Sequence, residues 1–316
     1  MTDVVKAGTR DAYGKTLAAL GHEDPRIVAL CADLSGSTKV SDFAAEHPDR
    51  FFNMGVAEAN MMGTAAGLAM SGLRPFVSTF AVFATGKVWE QIRQVVAYPN
   101  VPVRIVATHA GLTVGEDGAS HQMLEDIAIM RVLPNMSVIV PADAVEAASA
   151  IRFVAGYDEG PVYVRLARAP FPIIHSDEDA FKFGRAWIRR EGTDVSIAAC
   201  GLMVSVALDA AERLAECGIS AEVINVSTVK PLDRETLLAS VRKTGAVVTA
   251  EEHQVAGGLG GAVCELLAEE LPTSVVRVGV DDRFGQSGSA DALLAHYGLD
   301  ADGVAAAAQH ALSLGS

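Results

Sequence analysis

One carboxylate stands alone in a long uncharged stretch of the sequence. Residues 51–73 carry a single formal charge, that of Glu58, in a run of Gly, Ala, Met, Val, Leu, Phe and small polar residues. A carboxyl group surrounded by apolar side chains holds a proton more tightly than one in water, which suits it to acid–base chemistry. Glu58 could equally be a structural acid paired with an arginine from elsewhere in the chain. The sequence therefore makes Glu58 the first candidate for acid–base chemistry.

Two phenylalanines follow a predicted strand. Phe80 and Phe83 lie one helical turn apart and could present two rings to a flat ligand. The same i, i+3 spacing is also common in core packing, so the pair alone does not identify a site. Asp33, in the segment DLSGS after an earlier strand, could likewise contact a ligand or only cap a turn.

The segment THAGLTVGEDGASHQ, residues 108–122, combines two histidines and two acids with glycines. These four residues are His109, Glu116, Asp117 and His121. Their composition resembles that of a metal site, but no HExxH or other tight ligand spacing is present, so we predict no metal held by this chain alone. Such a loop is better suited to hydrogen bonding with a polyhydroxylated ligand.

The candidate residues fall at the ends of predicted strands. Strands are predicted at 26–32, 73–79, 101–108, 136–140 and 161–166, and helices at 10–20, 56–71, 81–97, 122–132 and 143–155. This alternation predicts a mainly parallel sheet covered by helices on both faces. Because loops at the carboxyl ends of parallel strands converge on one crevice, we expect the candidates to lie close together.

A second alternating series follows a proline-containing, acidic segment, PFPIIHSDEDAFKFG. Its strands are predicted at 194–200, 221–226, 245–250 and 274–280, and its helices at 203–217, 234–243, 258–270 and 289–312. We therefore predict an α/β protein of two domains, residues 1–170 and 193–316, joined by a linker at 171–192. A glycine cluster at 257–261 lacks the full dinucleotide-binding fingerprint and is interpreted as close backbone packing.

Composition and charge exclude several classes of protein. Half of the 316 residues are hydrophobic, which is enough apolar material for two cores. A net charge of −14, with no basic cluster, disfavours nucleic-acid and anionic-membrane binding. Residues 51–73 are long enough to span a bilayer, but their polar residues and four glycines make a poor hydrocarbon segment.

The sequence predicts a cytoplasmic location. Residues 1–15 carry charges where a secretory signal has an apolar core. The four cysteines form no CxxC pair, so a reducing compartment is the simplest setting.

The chain resembles the pyrimidine-binding domain of transketolases in four segments, CADLSGST, NMGVAEANMMGTAAGLAMSGLRPFVSTFAVF, THAGLTVGEDGASHQMLEDIAIMRVLPNMSVIVPAD and VRLAR. Residues 193–316, with STVKPLD and EEHQVAGGLGGAV, resemble the C-terminal domain that follows it in that family. The resemblance implies two α/β domains with helix-flanked, mainly parallel sheets, the second sheet mixed, and dependence on thiamine diphosphate.

The resemblance also implies a set of cofactor contacts. The residue matching Glu58 hydrogen-bonds N1′ of the cofactor aminopyrimidine and so activates the cofactor. Phe80 matches the ring that stacks on the pyrimidine, Phe83 lines the same pocket, and Asp33 lies near the thiazolium. One departure is Gly86, where the family often has tyrosine, so the wall of the pyrimidine pocket is altered.

Substrate contacts are implied in the same way. Asp117 matches an acid that binds a sugar hydroxyl, and His121 lies near the donor sugar and the reacting carbon, which makes it the second catalytic candidate after Glu58. The set matching the phosphate site consists of Arg10, Ser37, His109 and Arg168, and arginine forks suit that role.

A domain of the family has no counterpart in this sequence. The diphosphate-binding domain carries a GDG motif and holds magnesium, and no GDG occurs here. The resemblance therefore implies a split transketolase in which a separate N-terminal chain holds Mg2+ and the diphosphate, in an α2β2 assembly with active sites at subunit interfaces. Such an enzyme transfers a two-carbon ketol unit from a ketose phosphate to an aldose or aldose phosphate.

Three alternatives stay open at the level of sequence. Deoxyxylulose-phosphate synthases share the STF and G-x-DG-x-x-HQ patterns but usually have aspartate at the position of His109. The beta-type subunits of 2-oxoacid dehydrogenases share the architecture without the GEDG-x-x-HQ spelling. A non-catalytic paralogue would retain the fold without the chemistry. The donor and acceptor sugars are not specified by the sequence.

Overall fold

The computed structural model describes residues 5–176 and 181–314. Its strands are β1 (Lys6–Gly8), β2 (Ile27–Cys31), β3 (Phe51–Asn53), β4 (Arg74–Ser78), β5 (Arg104–Ala107), β6 (Ser137–Ile139), β7 (Val162–Arg165), β8 (Pro170–Pro172), β9 (Trp187–Arg190), β10 (Val195–Ala199), β11 (Ala221–Asn225), β12 (Thr228–Lys230), β13 (Val247–Gln254) and β14 (Val275–Val280).

The helices cover both sheets. The α-helices are α1 (Thr9–Glu23), α2 (Ser35–Thr38), α3 (Ser41–Glu46), α4 (Glu58–Met70), α5 (Trp89–Gln91), α6 (Asp126–Arg131), α7 (Ala144–Gly156), α8 (Met203–Glu216), α9 (Arg234–Thr244), α10 (Leu259–Glu270), α11 (Ala290–His296) and α12 (Ala301–Leu314). Short 3-10 helices lie at Pro48–Arg50 and Leu112–Asp117, and π-helical turns at Val82–Gly86 and Ile92–Ala97.

The larger sheet has seven strands in the order β12-β6-β7-β5-β4-β2-β3. All pairings are parallel except that of β12 with β6. Alternate residues of β2 enter opposite cores: Ile27 and Ala29 pack with α1, α3 and α7, whereas Val28 and Leu30 pack with α4 and α6. A strand buried on both faces reads as a continuous apolar run, which is why the sequence predicted it.

The smaller sheet has five strands in the order β14-β13-β10-β11-β9. It is mixed, since β9 runs antiparallel to β11 while the other pairings are parallel. Helices α8 and α12 cover one face. Helices α9 and α10 cover the other and share a core with α4 and α6 of the first part of the chain. The predicted α/β class with one mainly parallel and one mixed sheet is confirmed.

Strand β12 joins the two parts of the chain directly. It comes from the second series of elements but pairs with β6 at the edge of the seven-stranded sheet. The segment 171–192, predicted as a linker, contains the end of β8, which pairs with β1, and all of β9. Residues 177–180 of that segment lie outside the described residues. The domain limits predicted from sequence stay a prediction.

Three predicted helices differ from the structure. The helix predicted at 289–312 is two helices, α11 and α12, separated by Gly298, which has a φ of 69°. The segment 81–97 consists of π-helical turns on either side of α5, and the helix predicted from 122 begins at Asp126.

In the described ranges no helix is long and apolar enough to cross a bilayer.

Candidate functional site

Glu58 is the first residue of α4, and its side chain is 3% exposed. The position favours a carboxylate, because the free N–H groups of a helix N-terminus create positive potential. Lys87 Nζ donates a hydrogen bond to Glu58 Oε2 at 2.6 Å, while half of the Lys87 side chain stays exposed. The buried acid is therefore neutralised by a cation that lies at the surface.

Lys87 also connects the acid to an aromatic surface. Its Nζ lies 5.8 Å from the centroid of the Phe83 ring, within range of a cation–π contact. Phe83 and Phe80 are nearly parallel, at 12°, with centroids 6.1 Å apart. The structure thus places a hydrogen-bonding carboxylate beside a flat apolar surface.

Two histidines extend the aromatic cluster. The His109 ring stacks on Phe80 with centroids 3.7 Å apart, and its Nδ1 lies 2.8 Å from Thr108 Oγ1. His121 meets Phe83 and Phe80 edge-on at 5.8 and 6.3 Å. Residues from two strand-end segments, 80–83 and 108–122, therefore form one cluster, as expected for the carboxyl edge of a parallel sheet.

His109 is uncharged at neutral pH. Burial, together with the charges of Arg10, Arg168 and His121, lowers its pKa to about 3. Since a neutral imidazole has one donor and one acceptor nitrogen, His109 can hydrogen-bond a ligand oxygen without adding charge.

Two arginines lie near His109. Arg10 donates to the backbone oxygen of Ser37 at 2.9 Å, and its Nε is buried without a hydrogen-bond partner in the part of the chain that the structure describes. Burial lowers the pKa of Arg10, Asp11 opposes this, and the charge of Arg168 lowers it again. Arg168 donates to the carbonyl of Val114 and, at 3.0 Å, to Glu116 Oε2.

The loop 111–118 is held by residues from the second part of the chain. Glu252 Oε1 accepts a hydrogen bond from the Thr113 N–H at 2.5 Å. Gln122 Nε2 donates to the carbonyls of Leu112, at 3.2 Å, and Gln286, at 3.0 Å. Gly118 has a φ of 73°, and a Cβ there would lie 2.5 Å from Ser287 Oγ, so only glycine fits.

The chain is similar to known proteins over nearly its whole length. Residues 5–172 match the family described as transketolase, pyrimidine binding domain, and residues 184–304 match transketolase, C-terminal domain. The chain belongs to the transketolase family.

Its relatives include proteins of similar length. A candidate transketolase C-terminal section from Methanocaldococcus jannaschii is 52% identical over 304 residues, covering 95% of each chain. A 6-deoxy-6-sulfo-D-fructose transketolase subunit from Clostridium sp. is 46% identical over 299 residues, covering 95% of this chain and 92% of that protein. A solved structure described as a split gene transketolase, inactive beta4 tetramer, has a TM-score of 0.91 at 55% identity and covers 98% of this chain and 99% of that chain. The predicted membership, as a C-terminal section of split transketolases, is confirmed.

Two residues expected at the transketolase site lie outside the contact cluster. Asp33 is exposed, has a φ of 59°, and exchanges hydrogen bonds with Asn53: its N–H donates to Asn53 Oδ1 at 3.0 Å and its Oδ1 accepts from Asn53 Nδ2 at 3.3 Å. Asp117 is exposed at the end of the loop. Within the described residues, neither carboxylate forms a hydrogen bond or ion pair with Arg10 or Arg168.

Sequence reasoning missed three residues that shape this site. Lys87 follows Phe83 by four positions, a helical spacing that could have suggested it. Gln122 ends the GEDG-x-x-HQ pattern but was not assigned a role. Glu252 stood out only as an acid at a strand end with no catalytic role, because its contact with Thr113 spans 139 positions.

Gly86 leaves room beside the aromatic cluster. A Cβ at this exposed position would meet the Met123 side chain at 3.7 Å, an ordinary contact distance. The absence of the tyrosine often found there thus leaves this wall of the site open.

A group of potential metal ligands occurs elsewhere. Within residues 5–176 and 181–314, His22, Glu46 and His47 form the only cluster of three such groups, and it includes no residue of the loop 108–122. Both ring nitrogens of His47 already have partners, Ala18 O at 3.0 Å and Arg50 NH2 at 2.7 Å. We therefore assign no metal to that cluster.

Proposed function

We propose that this chain is the C-terminal subunit of a thiamine-diphosphate-dependent transketolase that transfers a two-carbon ketol unit from a ketose phosphate to an aldose or aldose phosphate. The observation that carries the proposal is the buried Glu58 carboxylate beside the stacked Phe80 and Phe83 rings. The family membership of the chain supports it.

The residues present fit the aminopyrimidine of the cofactor. A planar ring with polar nitrogens needs an apolar face and a hydrogen-bonding group at its edge, and Phe80, Phe83 and Glu58 offer both. When bound, thiamine diphosphate supplies the electron sink that cleavage of the bond beside a ketose carbonyl requires. Glu58 holds or accepts a proton at the ring nitrogen, and Phe80 and Phe83 orient the ring and exclude water. Asp33 is assigned to the thiazolium end.

The substrate contacts are assigned to residues on the other side of Phe80. Arg10, Arg168, neutral His109 and Ser37 bind the anionic end of the sugar, and the buried, unpartnered Nε of Arg10 supports this. His121, which touches both rings edge-on, moves a proton at the reacting sugar. Asp117 binds a sugar hydroxyl.

A second chain completes the enzyme. The relative solved as a split gene transketolase beta4 tetramer is described as inactive, which supports the need for another type of subunit. We assign the diphosphate and Mg2+ to that N-terminal chain in an α2β2 assembly, with activity absent from this chain alone.

Exchange of Glu58 for Gln tests the catalytic assignment. In the two-chain enzyme, Glu58→Gln should lower ketol transfer at least a hundredfold, because the amide cannot take part in proton transfer with the ring nitrogen. Ketol transfer from a ketose phosphate to an aldose phosphate is measured with both chains, thiamine diphosphate and Mg2+ present.

Glu90→Gln provides the control. Glu90 lies on α5, close in sequence to Lys87, and among the described residues its carboxylate accepts a hydrogen bond from the neighbouring Gln91. Activity of Glu90→Gln should equal that of the unmodified chain. Full activity of Glu58→Gln would contradict the proposal.

A further inference from the structure

Glu116 has no role in the proposed reaction, yet it pairs with a residue of the anion site. Its Oε2 lies 3.0 Å from the NH1 of Arg168, and its side chain is 72% exposed. Its own backbone N–H and Arg168 hold the pKa of Glu116 below its usual range, so the carboxylate is ionised at neutral pH. The anionic end of a substrate therefore approaches an arginine that is already ion-paired with a carboxylate.

The loop fixes this pairing without burying it. Arg168 also donates to the carbonyl of Val114, and its NH1 packs against Gly115, where a Cβ would lie 3.6 Å away. Arg168 therefore stays on the loop through the backbone whether or not Glu116 is bound to it. Since the Glu116 side chain is largely exposed, it can swing into solvent at small cost.

The charge of the site is consequently low. Arg10 and Arg168 are cations, Glu116 is an anion and His109 is neutral. Asp11, which also acts on Arg10, is paired with Lys39 at 3.1 Å. With Glu116 in place, the cluster carries about one net positive charge, which balances a singly charged group but not a doubly charged one.

We propose that Glu116 is a specificity-determining residue: its carboxylate competes with the anionic end of the substrate for Arg168 and weakens the binding of a doubly charged end more than that of a singly charged one. The substrate class is a sugar ending in a tetrahedral oxyanion, either phosphate or sulfonate. This inference rests on the proposed function of the site. The two oxyanions differ in charge at pH 8, since phosphate is mainly a dianion and sulfonate a monoanion.

Removal of the competing charge should strengthen anion binding. Glu116→Gln keeps the size of the side chain but removes the ion pair with Arg168 and the repulsion toward a bound anion. We expect about fivefold tighter binding of inorganic phosphate and about twofold tighter binding of methanesulfonate, because the repulsion scales with the charge of the ligand. Both gains should shrink in 0.5 M KCl through screening.

The experiment measures binding without turnover. The purified two-chain complex is heated in graded concentrations of sodium phosphate or sodium methanesulfonate at constant ionic strength, and the dissociation constant is taken from the rise in Tm. The control is Glu235→Gln, which removes the same charge from another exposed pair, Arg185 NH1 and Glu235 Oε2 at 3.2 Å.

The outcomes separate this inference from the proposed function. Tighter phosphate binding by Glu116→Gln, with the expected ratio between the two anions and no change in Glu235→Gln, supports it. Equal dissociation constants in all three proteins, or no saturable effect of phosphate in any of them, would overturn it. Because the readout is independent of ketol transfer, a catalytically inactive complex that shows the expected anion binding refutes only the proposed function.

Discussion

Lys87→Met tests how the buried Glu58 carboxylate is stabilised. Lys87 Nζ lies 2.6 Å from Glu58 Oε2, and the two side chains are 50% and 3% exposed. Breaking a fully buried ion pair costs about 3–5 kcal/mol, whereas an exposed pair contributes about 0–1 kcal/mol. A pair with one buried and one half-exposed member lies between these limits. We therefore expect the free energy of unfolding to fall by about 2 kcal/mol at pH 8, roughly a 30-fold change in the unfolding equilibrium.

The loss has two parts. One part, about 0.5–1 kcal/mol, comes from the contact of Lys87 with the Phe83 ring. The rest comes from leaving the buried Glu58 carboxylate unpaired.

Both parts are measured by urea denaturation of four proteins: the unmodified chain, Lys87→Met, Glu58→Gln and the double variant. In the double variant, Lys87→Met should cost only the contribution of the ring contact, because no charge remains for the lysine to neutralise. Lys87→Arg, which keeps the charge, serves as the control. A Lys87→Met loss that is the same with and without the Glu58→Gln exchange would refute the proposed pairing.

Two further predictions concern the anion site and its loop. The pKa of His109 is lowered to about 3, below that of an unfolded histidine, so protonation of the unfolded chain removes stability as the pH falls below about 6.5. The loss in the free energy of unfolding that is due to His109 is about 2 kcal/mol between pH 8 and pH 5. His109→Phe keeps a ring on Phe80, and in urea denaturation its stability should not show this loss between pH 8 and pH 5. An unchanged pH dependence would argue against a neutral His109. Gly118→Ala should lower Tm and raise the KM for the ketose phosphate severalfold, since alanine is strained at a φ of 73° and its Cβ would meet Ser287. Gly156→Ala at the end of α7, where a Cβ meets nothing within 4 Å, is the control, and equal effects of the two changes would count against a role for the loop.

The central strands of both sheets could be predicted from the sequence. Strand β2 is a continuous apolar run and β10 is interrupted only by Ser196, because both faces of each are covered. The short strands β3, β8 and β12 were missed, since three residues give no periodic pattern. The break between α11 and α12 could have been predicted from Gly298 and Asp300, since glycine commonly ends a helix and aspartate commonly precedes one. In the structure Gly298 has positive φ, and Asp300 Oδ1 accepts a hydrogen bond from the Gly303 N–H at the start of α12.

The sequence predicted which residues belong to the candidate site but not which contacts they make. Glu58, Phe80, Phe83, His109 and His121 were singled out as residues at strand ends or at the start of a helix. The pairing of Glu58 with Lys87 and the hydrogen bond from Thr113 to Glu252 join distant parts of the chain. Such contacts depend on tertiary packing, which no local pattern of residues specifies.

The central claim is that this chain forms half of a two-chain enzyme that binds thiamine diphosphate. Native mass spectrometry of the protein, purified gently from its own cells with thiamine diphosphate and Mg2+ in the buffer, tests it most directly. We predict an assembly with equal numbers of this chain and a second chain of diphosphate-domain size, carrying bound cofactor. A homo-oligomer of this chain without cofactor would contradict the account.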